Sequence, residues 1–252
     1  MSMTRVLYAG DVITVYSTFL KGFDCLTMTR LKDERRLLKN ALEKHGIEVD
    51  TIATNYVDVE FPEKMEDLLK YDVVILSDVG SNSLLLHPEV IPGGTPHPNR
   101  LKLLKRYVEE EGKGFMMIGG YMSFQGIYGR ANYKNTPIEE ILPVELMIFD
   151  DRMEVPEGFN PRVVNKDHPV VKGLPERWPM FLGYNKTKLK DGATLLVEHN
   201  GDPIVAAWKY GKGRTLVFTP DCAPHWGSPE FLRWEYYSIF WKQAVEWLAG
   251  II

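Results

Sequence analysis

Two patterns of hydrophobic residues alternate along the first half of the chain. Short segments are nearly all apolar, as in strands covered on both faces, and longer segments place apolar residues every three or four positions, as in amphipathic helices. These segments predict strands at 5–11, 47–53, 72–79 and 114–120, and helices at 32–46, 61–71 and 100–112. Strands that alternate with helices predict a parallel sheet with helices on both of its faces.

Two segments of this half follow neither pattern. The chain after the first strand is predicted to form a loop that runs to about residue 30. Residues 80–99 are rich in glycine and proline and predict a second long loop. Loops of this length inside a compact domain are often functional.

The second half of the chain carries a different pattern. Three apolar segments at 193–199, 203–210 and 214–221 are separated by turns that contain glycine, which predicts an antiparallel meander. A long amphipathic helix is predicted at 229–250, with Ser228 as its N-cap. The remaining segments predict a short helix at 136–143, extended chain at 144–151 and 152–156, and irregular structure at 165–189.

Composition and charge narrow the class of protein. With 44% apolar residues and no linker or repeat, the chain is predicted to form one domain over residues 1–252. The net charge of −4 gives no basic excess for nucleic acid, and no apolar segment approaches the ~18 residues that a membrane span needs. The N-terminus lacks the apolar region of a signal peptide, and Cys25 and Cys222 provide no disulfide framework. We therefore predict a cytoplasmic protein without nucleic-acid or membrane partners.

The stretch GFMMIGGYMSFQGIYG, residues 114–129, carries the most specific signal. An apolar strand ends at Gly119-Gly120, and Tyr121 follows among small or flexible residues. This layout is typical of a strand that turns sharply into a helix and lifts one side chain above the sheet. In enzymes with such a nucleophile elbow the lifted residue is a nucleophile such as serine or cysteine, whereas this chain has a tyrosine.

Three segments together resemble the class I glutamine amidotransferase-like superfamily. They are YDVVILSDVGSNSLLLHP (71–88), the elbow, and GKGRTLVFTPDCAPHWG (211–227). The resemblance covers nearly the whole chain and is strongest to the amidotransferase branch that includes trehalose-utilisation-type proteins. With the strand pattern, it implies a flavodoxin-like three-layer α/β sandwich, with a mostly parallel central sheet and a C-terminal antiparallel β meander.

The resemblance has a defect at the elbow. Members of the superfamily carry Gly-x-Cys-x-Gly there, and a histidine after a late strand. Here Tyr121 stands at the nucleophile position and Ser123 replaces the second glycine. A phenol has a pKa near 10, and glutamine hydrolysis through a thioester needs a thiolate. We therefore expect a protein that has lost glutaminase activity and kept the elbow as a platform.

Ligands of parallel α/β sheets bind beyond the carboxyl ends of the strands. That rule gathers Asp11, Asp78, Tyr121 and Asp221, with His225 and Trp226 shortly after, and the first-loop residues Lys21, Phe23 and Asp24 as further candidates. We assign candidate catalytic roles to Asp78, Tyr121, Asp221 and His225, and ligand-binding roles to Asp11, Lys21, Gly120, Ser123 and Trp226. Carboxylates, a phenol, an imidazole and an indole suit a small polar, sugar-like ligand.

Structural alternatives stand beside these assignments. Asp11 or Asp78 can cap a turn, Tyr121 can be a packed aromatic, and His225 with Trp226 can anchor the last helix. A Cys222–His225 pair and a displaced Cys25 nucleophile are weaker alternatives.

No metal or other cofactor is predicted. The histidines at 87, 97, 168 and 199 lack a short ligand spacing. The GKG at 211–213 fits a hairpin turn better than a phosphate loop, because it lacks the strand–helix context.

Two classes of function therefore remain open. The first is an enzyme in which Asp and His act as acid and base, and the second is a ligand-binding or assembly protein on a degenerate amidotransferase fold. The chain holds 6 Trp, 12 Tyr and 11 Phe residues, and the loops at 80–99 and 124–135 resemble segments that partner subunits cover. We expect a homo-oligomer built on a two-fold dimer.

Overall fold

The computed structural model describes residues 3–252, with fourteen strands and nine α-helices. The strands are β1 (Arg5–Gly10), β2 (Val12–Lys21), β3 (Asp24–Asp33), β4 (Glu48–Ala53), β5 (Val73–Ser77), β6 (Gly114–Ile118), β7 (Val144–Leu146), β8 (Arg152–Phe159), β9 (Arg162–Val163), β10 (Phe181–Asn185), β11 (Thr187–Leu189), β12 (Thr194–His199), β13 (Asp202–Tyr210) and β14 (Gly213–Phe218). The helices are α1 (Arg36–Glu43), α2 (Val57–Glu60), α3 (Met65–Leu68), α4 (Ser81–Leu85), α5 (Val90–Gly93), α6 (Arg100–Glu109), α7 (Pro137–Ile141), α8 (Pro229–Leu232) and α9 (Tyr237–Leu248). None of the helices in this described part is long and apolar enough to cross a membrane.

The central sheet has eight strands in the order β4-β1-β5-β6-β14-β13-β12-β9. The first five are parallel to one another, and the antiparallel strands β13, β12 and β9 extend the sheet beyond β14. The predicted meander is therefore part of the central sheet. The α/β flavodoxin-like fold class is confirmed.

Two hydrophobic cores, one on each face of the sheet, explain the apolar patterns of the sequence. Every residue of β5 and β6 is buried, because helices cover both faces there. One core packs α1 and α9 on the sheet, with Leu38 and Trp241 among its members. The other packs α6, with Leu104 and Tyr107, on the opposite face.

Several helices differ from their predicted extents. The predicted helix at 229–250 is divided into α8 and α9, because Arg233 leaves the helical conformation with φ −104° and ψ 7°. Ser228 caps α8, where its hydroxyl accepts from the Phe231 N–H at 3.2 Å. The predicted helices at 32–46 and 61–71 shrink to α1 and the single turn α3, whereas the predicted loop at 80–99 contains α4 and α5.

The irregular segments also contain more structure than predicted. The predicted extended chain at 144–151 is extended only in β7, and the predicted irregular segment at 165–189 contains β10 and β11. The segment 124–135 packs largely against the rest of its own chain, since Phe124, Ala131 and Tyr133 are fully buried.

The predicted loop that runs to residue 30 is wrong. Residues 12–33 form a β-hairpin with ten cross-strand pairs, from Val12–Asp33 at its base to Lys21–Asp24 at its tip. The turn uses Gly22, whose φ of 62° suits glycine. The many β-branched and aromatic side chains of these residues favour strands. At about 3.3 Å per residue, the tip lies roughly 30 Å along the hairpin from Asp11.

Candidate functional site

The sharp turn predicted after the fourth parallel strand is present. Gly120 has a φ of 150°, and a Cβ on it would lie 2.7 Å from Asp78 Oδ1. A Cβ on Gly119 would lie 1.9 Å from the Thr219 carbonyl oxygen. Both glycines are therefore required by close approach of neighbouring strand ends, and the next side chain, Tyr121, is lifted out of the sheet.

Tyr121 points away from the core towards a cluster of polar and aromatic side chains. Its hydroxyl donates to Glu154 Oε1 at 2.7 Å. The edge of its ring packs against His225, with ring centroids 4.5 Å apart, and the Arg152 guanidinium lies 5.1 Å from the ring centre. Burial, followed by the adjacent Glu154, raises the pKa of Tyr121 above its usual value of 10.0. The phenol therefore keeps its proton at neutral pH and serves as a hydrogen-bond donor.

Glu154 holds this cluster together. Besides accepting from Tyr121, it accepts from the Trp226 indole Nε1–H at 3.0 Å through Oε2, and that oxygen lies 3.8 Å from His225 Nε2. Sequence reasoning missed Glu154, because it lies in an ordinary strand with no motif around it. Pairing of β8 with β10 places it opposite Gly183, where a Cβ would lie 2.2 Å from Trp226 Nε1.

His225 is an exposed member of the cluster, as is Glu154. The His225 φ of 139° is unusual for a residue with a side chain, and such strain costs on the order of 1–3 kcal/mol and is common at functional sites. Burial of the ring lowers the pKa of His225, although Glu154 and Asp78 act in the opposite direction. At neutral pH the imidazole is therefore uncharged and able to accept a proton.

The three predicted aspartates form a second group at the same sheet edge. Asp11 accepts from the Ser77 hydroxyl at 3.1 Å, from the Cys222 thiol at 3.5 Å and from the Tyr8 hydroxyl. Asp221 accepts from the Ala223 N–H at 2.8 Å. Asp11 and Asp221 therefore have the internal hydrogen bonds of structural residues, and both also belong to the group of aspartates at the sheet edge.

Burial changes the protonation of all three aspartates. It raises the pKa of Asp11 to about 7, with the neighbouring Asp78 adding to the effect. Burial also raises the pKa of Asp78, and burial together with Asp11 and Asp78 raises that of Asp221 well above its usual value. Burial therefore favours the protonated form of each carboxyl, and Asp11, with a pKa of about 7, is partly protonated at neutral pH.

Asp78 links the two groups. Its Oδ1 accepts from the Met122 N–H at 2.6 Å, and its own N–H donates to the Ser123 hydroxyl at 3.0 Å. In elbow enzymes the N–H that follows the nucleophile stabilises the oxyanion of the reaction. Here that N–H belongs to Met122 and already has a carboxylate partner.

Neither cysteine replaces the missing nucleophile. Cys222 is buried at 1% exposure, and burial raises the pKa of its thiol well above the usual value. The side chains that hydrogen-bond to it within the described residues are Asp11, Ser77 and Tyr8, and His225 is not among them. Cys25 is exposed on the hairpin.

The predicted site is thus assembled in part. Gly120, Ser123 and Asp78 meet at the elbow, Tyr121 meets His225 and Trp226, and Asp11 meets Cys222 near Asp221. Lys21, Phe23 and Asp24 do not belong to it, because the hairpin carries them to its exposed tip. Sequence reasoning placed them in a loop over the sheet edge, and strand pairing extends them away from it.

In residues 3–252, two sets of side chains each bring three possible metal ligands within 4.8 Å of one another. One is Asp11, Asp221 and Cys222, and the other is Glu63, His87 and His97. In the second set the imidazole rings stack at 3.8 Å and 14°, so their lone pairs run side by side instead of converging. Arg100 also donates to Glu63 at 2.7 Å, and this set is satisfied without an ion.

Comparisons with known proteins address the family. The family model described as "Putative glutamine amidotransferase" matches residues 5–250. Cytoplasmic Protein STM3548 from Salmonella typhimurium is 38% identical over 96% of this chain and 98% of its own, with a TM-score of 0.92. Cytoplasmic Protein STM1381 from Salmonella typhimurium LT2 is also 38% identical, over 97% of this chain and 99% of its own, with a TM-score of 0.93.

More distant matches show the fold alone. A protein from Parabacteroides merdae ATCC 43184, described as putative ThuA-like, is 14% identical over 99% of this chain and 90% of its own, with a TM-score of 0.56. No curated protein matches the chain significantly. The family model, with two relatives that match along nearly their whole length, agrees with the resemblance seen in the sequence. The chain therefore belongs to the family of putative glutamine amidotransferases.

Proposed function

We propose that this family member binds a small polyhydroxylated, sugar-like ligand at the elbow and does not hydrolyse glutamine. The observation that carries the proposal is the state of the elbow itself. Its apex is Tyr121, whose hydroxyl is held by Glu154, and the N–H of Met122 is occupied by Asp78. Thioester chemistry would need a thiolate at the first position and a free donor at the second.

The chemistry of the cluster supports a ligand rich in hydroxyl groups. Glu154 offers carboxylate oxygens that accept from hydroxyls, and Tyr121 and His225 supply ring edges and faces beside it. The pKa of His225 is lowered by burial and that of Asp78 is raised by burial, so the two values are shifted towards each other. Such pairs are typical of sites that exchange protons with a substrate, so we favour an enzyme that isomerises or hydrolyses its ligand by acid–base catalysis.

A second candidate function is a ligand-binding or assembly protein without chemistry. The buried contacts of Asp11 and Asp221 favour it, because both carboxyls have internal partners. With either function, we propose that the protein forms a single domain and works in the cytoplasm. The cytoplasmic location rests on the two Salmonella relatives, which carry the name cytoplasmic protein.

Thermal unfolding in the presence of a panel of neutral sugars, polyols and amino acids tests the proposal. A ligand that binds the native state raises the melting temperature by mass action. We expect a shift with a sugar or polyol that is lost or reduced in Tyr121→Phe, whereas Tyr56→Phe, which removes an exposed hydroxyl elsewhere, retains it. A shift with glutamine, or ammonia release from it by the purified protein, would contradict the proposal. Consumption of the ligand then separates the enzyme from the binding protein.

A further inference from the structure

Among the described residues, the hairpin of residues 12–33, called the arm below, is hydrogen-bonded to the rest of the chain at its base alone. The Val12 N–H donates to the Thr54 hydroxyl at 3.2 Å, and the Glu34 N–H donates to the Asp11 carbonyl at 2.9 Å. Beyond this base, every residue of β3 is exposed. Neither hydrophobic core includes a residue of the arm.

The arm nevertheless carries large apolar side chains. The exposed fractions are 45% for Ile13, 72% for Tyr16, 47% for Phe19, 76% for Leu20, 110% for Phe23, 60% for Leu26, 51% for Met28 and 61% for Leu31. With about 200 Å² for a large side chain, they leave on the order of 1,000 Å² of apolar surface open. Monomeric proteins rarely expose contiguous apolar patches above a few hundred Å², and an isolated two-stranded hairpin is marginally stable in water.

We propose that the arm mediates assembly by packing against the arm of a second copy of this chain. Less than half of this open apolar area, that of Ile13, Phe19, Leu26 and Met28, lies on the face that a second arm would cover, and it would form the apolar part of the roughly 800 Å² that each partner contributes to a standard interface. The arm also carries both signs of charge, which does not suit nucleic acid or an anionic membrane. This contact differs from the loops at 80–99 and 124–135 that the sequence suggested for a subunit interface.

One face of the arm is self-complementary. Cross-strand partners share a face, so Phe19 and Leu26 lie beside the tip pair Lys21 and Asp24. Together with Met28 they line a concave surface of about 420 Å³. A two-fold axis parallel to the arm lays β2 of each copy over β3 of the other. Phe19 then faces the other copy's Leu26, and Lys21 faces its Asp24, as an isologous interface requires.

The mass of the protein in solution tests the assembly. By light scattering at micromolar concentration we expect at least a dimer for the wild type and a monomer for Phe19→Asp combined with Leu26→Asp. The matched control is Val59→Asp combined with Ile91→Asp, which alters two exposed apolar residues outside the arm and should keep the wild-type mass. Circular dichroism should show a folded body in every variant. A monomeric wild type, an arm variant that keeps the wild-type mass, or a monomer that floats with lipid vesicles would overturn the proposal.

Charge variants of the tip test the pairing itself. Lys21→Glu makes the tip of the arm acidic, and Asp24→Lys makes it basic, so each variant alone repels its own copies. We expect each alone to dissociate at a several-fold higher protein concentration than the wild type. An equimolar mixture should recover the wild-type dissociation, because the acidic tip of one copy then meets the basic tip of the other. Mixing cannot restore the pair within one hairpin, so a mixture that stays as weak as its components would overturn the two-fold pairing.

Discussion

The contacts of Glu154 lead to a prediction about stability. Glu154→Ala removes the acceptor of the Trp226 indole N–H and the acceptor of the Tyr121 hydroxyl. Trp226 is fully buried, and a buried donor without a partner costs about 1–3 kcal/mol. Tyr121 is only half-buried and its hydroxyl can turn to water, so its loss adds about 0.5 kcal/mol. We expect the free energy of unfolding to fall by about 1.5–3.5 kcal/mol.

Urea unfolding followed by circular dichroism measures this change, with Glu157→Ala as the control. Glu157 is an exposed glutamate on the same strand, and its replacement should change stability by less than about 0.5 kcal/mol. The Trp226→Phe background isolates the indole contact, because it keeps an aromatic ring and removes the N–H. In that background Glu154→Ala should cost at least about 1 kcal/mol less than in the wild type. Additive effects, or equal losses for Glu154→Ala and Glu157→Ala, would refute the reasoning.

Three further predictions concern the buried acids, the elbow and the packing behind it. Burial raises the pKa of Asp11 to about 7, so its protonated carboxyl contributes stability that is fully present below about pH 4 and is lost as the pH rises to 7. The loss is at most about 1.4 kcal/mol per pH unit. Urea unfolding at pH 5 and pH 8 should show a lower free energy of unfolding at pH 8, and Asp11→Asn should remove the share of this difference that Asp11 causes. Tyr121→Cys should release no ammonia from glutamine in a coupled assay, since Asp78 still occupies the Met122 N–H, and turnover by this variant would count against that role of Asp78. Gly183→Ala should lower the free energy of unfolding by about 1–3 kcal/mol through overpacking against Trp226. Gly93→Ala, whose Cβ would meet only the Thr95 hydroxyl at 3.3 Å, should change it far less.

The parallel half of the fold could be predicted because burial on both faces leaves a direct trace in the sequence. The residues of β5 and β6 are all buried, and a short unbroken apolar segment between turn signals is typical of such a central strand. The elbow could be predicted for a similar reason, since two glycines at a strand end mark a close approach of backbone. The helices were predicted too long, because periodicity continues through Arg233 although the chain turns there.

The candidate site was predicted where its residues stand at or shortly after strand ends. Asp11, Asp78, Tyr121 and Asp221 follow strands of one sheet, so a topological rule collects them. Glu154 stands in the middle of β8, and only pairing of β8 with β10, between segments about thirty residues apart, brings it to Tyr121. A lone glutamate in an extended segment looks like a solvated residue, and nothing in the neighbouring residues separates the two cases.

The arm was missed for a different reason, which bears on how the protein works. It contains many β-branched and aromatic residues, as strands favour, yet among the described residues its two strands pair only with each other. A pattern with large apolar residues on both faces predicts burial, and within one chain no second layer covers the arm. If a second copy covers the arm, its apolar side chains are buried only in the assembly. The arm also follows directly after Asp11, whose carboxyl belongs to the acid group at the sheet edge. Pairing of two arms would then affect a segment that directly adjoins the candidate site.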